Sequence, residues 1–176
     1  RLNDQGLARG PEETALRRER KKYLDEAIRA IPLRYRLVLI LRDVQGFSTE
    51  EVSDILKLSV SVVKVRLHRA RLFLREKLRG YLSTGLPALN NKKDAVLSEC
   101  RELIRLMSAY VDGDVDETLC DRINSHFEEC GACVSLCQSL KETITLCRER
   151  NRKSAPLRVR REAHTWVRKE VSKALP

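Results

Sequence analysis

Apolar residues recur along this chain at helical rather than strand spacing, and capping residues divide its first part into four helices. Pro11-Glu12-Glu13 opens the first, with proline in the first turn and acids near the positive end of the dipole. It runs to about Ile31, where Pro32 stops it. A second helix is expected from Tyr35 to Val44, ended by Gly46. Ser48, with Glu51 three residues on, forms a capping box for a short third helix whose buried face is Val52, Ile55 and Leu56. After Lys57-Leu58, Ser59 caps a long fourth helix reaching about Leu82. Along it Val63, Leu67, Ala70, Leu74 and Leu78 form one buried stripe. Ser61, Val65, His68 and Leu72 then lie on the opposite side, flanked by Lys64 and Arg69.

A short helix, a tight connection at 57–59 and a long basic helix make a helix-turn-helix pattern. Between Ser59 and Arg79 stand seven basic residues and one acid, Glu76. A solvated basic face is the bland explanation. The capped helix and tight turn before it favour a helix that enters a major groove, where Lys and Arg meet guanine or phosphate and Val meets a thymine methyl.

Turn formers from Ser83 to Lys93 interrupt the helical pattern, so a linker is expected at 83–94. Few glycines (7) and prolines (5) point to an all-α fold: a four-helix helix-turn-helix domain linked to a smaller helical domain. The formal charge of +10 divides unevenly, +8 in residues 1–82, −2 in 83–155 and +4 in 156–176. The polyanion-binding character therefore belongs to the first domain and the tail. No apolar run approaches the roughly 20 residues that span a bilayer, so no membrane role and a cytoplasmic location are expected. The chain opens on Arg1, and its one methionine is Met107, which reads as a fragment of a longer protein.

All six cysteines lie in the second half: Cys100, Cys120, Cys130, Cys133, Cys137 and Cys147. Without an export signal this clustering favours metal or redox chemistry over a secreted disulfide framework. His126-x3-Cys130-x2-Cys133 has metal-ligand spacing: the knuckle brings two thiolates to one ion, Gly131 frees the backbone between them, and His126 sits one helical turn earlier. Such soft and borderline ligands favour Zn2+. Spacing alone leaves the fourth ligand open between Cys100 and Cys137. A buried stripe that happens to contain His and Cys is the plain alternative.

Two family resemblances attach to these residues. Ile31-Pro32-Leu33-Arg34-Tyr35-Arg36, Gly46-Phe47-Ser48-Thr49-Glu50-Glu51-Val52 and the run Val62 to Arg71 resemble region 4 of extracytoplasmic-function sigma factors. That resemblance implies binding of the promoter −35 element by the recognition helix, through Ser61, Lys64, Val65, Arg66, His68 and Arg69. It also implies a grip on the β flap of RNA polymerase by the preceding helices. Val65 departs from the small polar residue usual there, and the family's region 2 is not in this sequence. The run Cys100 to Asp114, followed by His126-Phe127-Glu128-Glu129-Cys130-Gly131-Ala132-Cys133, is similar to the zinc-binding anti-sigma domain. This second resemblance implies Cys100 as the fourth ligand, giving Cys100, His126, Cys130 and Cys133. Some relatives eject zinc by disulfide formation, which makes Cys137 a redox candidate beside its default as a small buried apolar group.

The expected organisation is an inter-domain linker end at 1–11, a sigma region 4 domain at 12–82, a linker at 83–94, a zinc-binding domain at 95–155 and a basic amphipathic helix at 156–176. In that last helix Leu157, Ala163, Trp166, Val167 and Val171 share a face. Residues 98–130 carry nine acids and three arginines, a net −6 that reads either as a complement to the basic recognition helix or polymerase-binding face or as ordinary surface acidity. The expected function is promoter recognition regulated in cis by intramolecular docking of the zinc domain on region 4. The rival is a stand-alone metal- or redox-sensing repressor. Catalysis is not expected, because no triad or phosphate loop is present and a fully ligated zinc leaves no open position for water.

Overall fold

The computed structural model describes residues 11–80, 98–150 and Thr165, and every described element is helical. The linker at 83–94 and nearly all of the tail at 156–176 lie outside the described residues. Helix α1 spans Pro11–Arg29 and α2 spans Leu33–Leu39, with Pro32 as the N-cap. The second helix thus begins two residues earlier than the sequence pattern indicates, and its second half is wider than an α-helix. Ile40–Val44 form a π turn, in which the Gln45 N–H reaches back five residues to the Ile40 carbonyl at 2.8 Å. Gly46, at φ 76°, makes the exit.

Helix α3, Thr49–Leu56, carries the expected capping box. The Glu51 N–H donates to Ser48 Oγ at 3.0 Å, and the Ser48 N–H donates to a Glu51 carboxylate oxygen at 2.7 Å. Lys57 ends it in the left-handed region, at φ 54°. Ser59 caps α4, Val60–Lys77, which stops one turn short of the expected Leu82 end. Val52, Ile55, Leu56 and the α4 stripe Val63, Leu67, Ala70, Leu74 and Leu78 are all buried, in one core with Leu24, Ile28, Val38 and Leu39.

Three further helices follow: α5, Ser98–Asp112, α6, Glu117–Glu129, and α7, Gly131–Arg150. Gly113, at φ 74°, closes α5, and the Asp114 N–H bonds back to the Ala109 carbonyl at 2.8 Å. Asp116 caps α6 through the Leu119 N–H. Leu103, Met107, Ile123, Leu136 and Leu140 are buried among these helices. Arg122 of α6 forks onto Glu102 of α5 at 2.8 and 3.2 Å. Helix α7 is shared: Leu136, Cys137 and Leu140 pack with Met107, whereas Cys147 is fully buried in the core formed by α1 to α4. The zinc-domain helices are therefore folded onto the helix-turn-helix.

Candidate metal centre and nucleic-acid interface

Cys130 is the hinge of the first site. It ends α6 and its carbonyl accepts the first hydrogen bonds of α7, from the Cys133 N–H at 3.1 Å and the Val134 N–H at 3.2 Å. This junction puts His126, in the last turn of α6, next to Cys133 in the first turn of α7. Cys100 arrives from the start of α5. The four ligand atoms lie within 4.8 Å of one another. Cys100 Sγ is 3.4 Å from His126 Nε2 and 4.0 Å from Cys130 Sγ, and His126 Nε2 is 3.3 Å from Cys133 Sγ. A tetrahedral zinc, at about 2.3 Å from sulfur and about 2.0 Å from nitrogen, sets its ligands about 3.5–3.8 Å apart. The group fits that ion.

The thiol electrostatics point the same way. Burial pushes Cys100 up, and burial with the neighbouring Cys130 pushes Cys133 up to about 12. Burial also opposes charge on Cys130, but hydrogen bonds from Cys133 and Cys100 and the backbone N–H groups of Cys133 and Ala132 hold it below the usual thiol value. Three thiols this close cannot all ionise unaided, and a divalent cation removes that penalty. Gly131 is not needed for the geometry: a Cβ there meets open space, and its φ is not in the positive region.

The structure places Cys137 outside the four-residue group, buried beside Cys100 and Cys133 in the zinc-domain core, with its thiol pushed up by burial. Cys147 is pushed up to about 12 by burial, and Cys120 accepts from Asn124 Nδ2 at 3.7 Å.

On α4, Ser61, Lys64, Val65 and Arg69 are exposed, and Arg66 is half-buried. Val65 is 52% exposed. Arg69 donates to Tyr35 Oη at 3.3 Å, and Arg34 lies 4.6 Å over the Tyr35 ring, so α2 extends the basic face. His68 differs from the sequence expectation of an outward face. It is half-buried against α5, with Nδ1 3.0 Å from Ser108 Oγ, and burial, then the fields of Arg71 and Arg69, lower its pKa to about 4. Lys64 is likewise ion-paired with Asp114 of the α5–α6 turn at 2.8 Å.

Sequence reasoning missed Arg71 and Arg75. Arg71 is fully buried and bonded to two carboxylates: to Asp43 of the π turn at 2.7 and 2.8 Å, and to Asp112 of α5 at 2.8 and 3.0 Å. A further bond at 3.3 Å runs to the Ser108 carbonyl. Although burial disfavours its charge, the two carboxylates overcome this and raise the Arg71 pKa. Arg75 Nε donates to Ser139 Oγ of α7 at 2.6 Å. Both arginines face the zinc-domain helices, one turn apart on a basic helix; the available signal was that i, i+4 pair beside the apolar stripe.

Comparison with known proteins agrees with both halves. Residues 21–74 match the family described as "Sigma-70, region 4" and residues 100–133 match the family described as "Putative zinc-finger". The chain is 35% identical over 69 residues to the ECF RNA polymerase sigma factor SigW of Bacillus subtilis, a match covering 39% of this chain and 37% of that protein. It is 39% identical over 75 residues to the RNA polymerase sigma factor YlaC of the same organism, covering 43% and 39%. The chain thus spans under two fifths of the length of these curated relatives. No solved structure matches it.

Proposed function

We propose that this chain, which joins a sigma-70 region 4 segment to a zinc-finger segment, acts in transcription initiation as part of an extracytoplasmic-function-type sigma factor restrained by its own zinc domain. In this reading Ser61, Lys64, Val65, Arg66, His68 and Arg69 meet the promoter −35 element, and the helices before α4 hold the polymerase β flap. Cys100, His126, Cys130 and Cys133 hold one Zn2+, which ties the start of α5 to the α6–α7 junction. A fully protein-ligated ion is structural, so it fixes helix positions and supplies no reactive water.

The observation that carries the reading is the covering of the recognition helix by α5. His68 faces Ser108, Lys64 pairs with Asp114, and Arg71 bonds Asp112. Two of the six proposed DNA contacts are thereby engaged: His68 is half-buried against α5, and Lys64, though exposed, must give up its ion pair to meet a phosphate. The tether keeps the local concentration of the zinc domain high, so modest contacts suffice to hold it.

Two measurements test this. Purified chain should contain one zinc, lost in Cys100→Ser and Cys133→Ser but kept in Cys137→Ser. Core RNA polymerase should retain the chain in a pull-down, more strongly when docking is weakened. Zinc loss in Cys137→Ser alone, or polymerase binding absent from every variant, contradicts the proposal; the second result favours a stand-alone repressor.

A further inference from the structure

Between α4 and α5 lies a cleft of about 790 Å³, apart from the metal centre, whose α4 wall includes Lys64, Val65, His68 and Arg69 of the proposed DNA-contact set and whose α5 wall includes Arg101, Ile104 and Arg105. We infer that it is an effector site for a small amphipathic anion, an acidic head on an apolar body, whose binding holds the two halves of the molecule together.

The volume falls in the range of about 300–1,000 Å³ typical of small-molecule sites, which likewise combine apolar walls with a few polar anchors. Val65 and Leu72 of α4 and Ile104 of α5 supply the apolar surface; Arg69 of α4 and Arg101 and Arg105 of α5 supply positive charge. The acids that line the cleft are already neutralised, Asp112 by Arg71 and Asp114 by Lys64, each at 2.8 Å. Arg101 and Arg105, one helical turn apart and exposed, have no acidic ion-pair partner among the described residues. Glu102, whose field reaches Arg105, is itself paired with Arg122 at 2.8 Å. The cleft therefore offers unbalanced positive charge beside apolar walls, the two features an amphipathic anion needs.

The direction of the effect follows from the geometry. One wall belongs to α4 and the other to α5, so an occupant touching both binds the docked arrangement and not the open one. By linkage it deepens docking, about a hundredfold at a ligand concentration of 100 times its Kd. The site rests on the docked arrangement of α4 and α5, and the regulatory consequence rests in addition on the reading that this arrangement hinders DNA binding.

The test titrates the whole zinc-loaded chain with anilinonaphthalenesulfonate, a fluorescent amphipathic anion, in competition with octanoate and octanol. The expected result is one saturable site per chain, displaced by octanoate but not octanol, and weakened at least about tenfold in Arg101→Glu/Arg105→Glu with melting and zinc content unchanged. Absence of a saturable site, equal displacement by octanol, or full affinity in the double variant overturns the site. A second arm measures duplex-DNA affinity at saturating probe, where weaker DNA binding is expected. Unchanged DNA affinity there overturns the claim that the occupant holds the halves together. The docking reading fails separately if Asp112→Ala leaves DNA affinity unaltered without any probe.

Discussion

Replacing Asp112 with alanine should release the recognition helix, and the size of the effect follows from what surrounds Arg71. The Asp112 side chain is 9% exposed and accepts two hydrogen bonds from the fully buried guanidinium. Breaking a buried pair costs about 3–5 kcal/mol when it strands a charge. Here Arg71 keeps both bonds to Asp43. The smaller value for hydrogen bonds to charged groups applies, about 2–3 kcal/mol, or about 30- to 150-fold in the docking equilibrium. Apparent DNA affinity scales with the fraction of molecules that are open, so it should tighten by up to that factor. Asp114→Ala breaks only the Lys64 pair, whose side chains are 46% and 49% exposed. That change is worth at most about 1 kcal/mol, or about fivefold. Fluorescence anisotropy with a random-sequence duplex at several salt concentrations measures both, and Asp121→Ala, an exposed acid of α6, corrects for the lost negative charge. If Asp112→Ala binds DNA no better than Asp121→Ala, with melting and zinc content intact, the autoinhibitory reading is wrong.

Two further outcomes are expected. The pKa of His68 is lowered, so a less buried state takes up its proton first; its contribution to docking is complete above about pH 6.5 and is lost as pH falls through about 4. Melting of the wild type and His68→Gln should converge near neutral pH and separate as pH drops, because His126 is common to both; parallel curves would exclude this role. Lys57 holds a left-handed conformation that favours glycine, so Lys57→Gly should stabilise the fold by about 1 kcal/mol, read as a rise in Tm. A fall in Tm would mean that the lysine side chain makes a compensating contact.

The helix-turn-helix was legible because the starts of its two helices are written locally: the Ser48–Glu51 box and Ser59 sit where the caps are found, whereas the start of α2 and the end of α4, which carry no such signal, were misplaced. The clustering of His126, Cys130 and Cys133 around the α6–α7 junction was legible for the same reason, since their spacing is set by one turn of helix on either side of Cys130. Choosing Cys100 over Cys137 was not local. It depends on α5 crossing the junction, which spacing cannot express and only the family resemblance supplied. The π turn was invisible because its residues are as apolar and helix-compatible as their neighbours; its effect is to seat Asp43, buried at 1% exposure, against Arg71. Arg71 and Arg75 were given no role of their own among the basic residues of α4, because arginine is seldom buried. Only the acids and the serine brought by α5, α7 and the π turn make their burial possible. His68 was assigned outward by its position opposite the buried stripe, and the α5 hydroxyl that meets it lies 40 residues away in the chain.

Helix α7 begins at the cysteine knuckle and carries Cys147 into the apolar core of the helix-turn-helix half before its exposed end at Arg150, Cys133 and Cys147 being separated by about 21 Å at about 1.5 Å per residue. A rod packed at both ends cannot loosen at one without straining the other, so under the proposed function a change at the cysteine cluster would be transmitted to the helix-turn-helix core. Its withdrawal would also leave a greasy trough along α1, the π turn and α4 that water penalises. Opening therefore becomes favourable chiefly where some other apolar surface is waiting to fill the gap, which would make release of the reader and capture of its next partner two sides of one event.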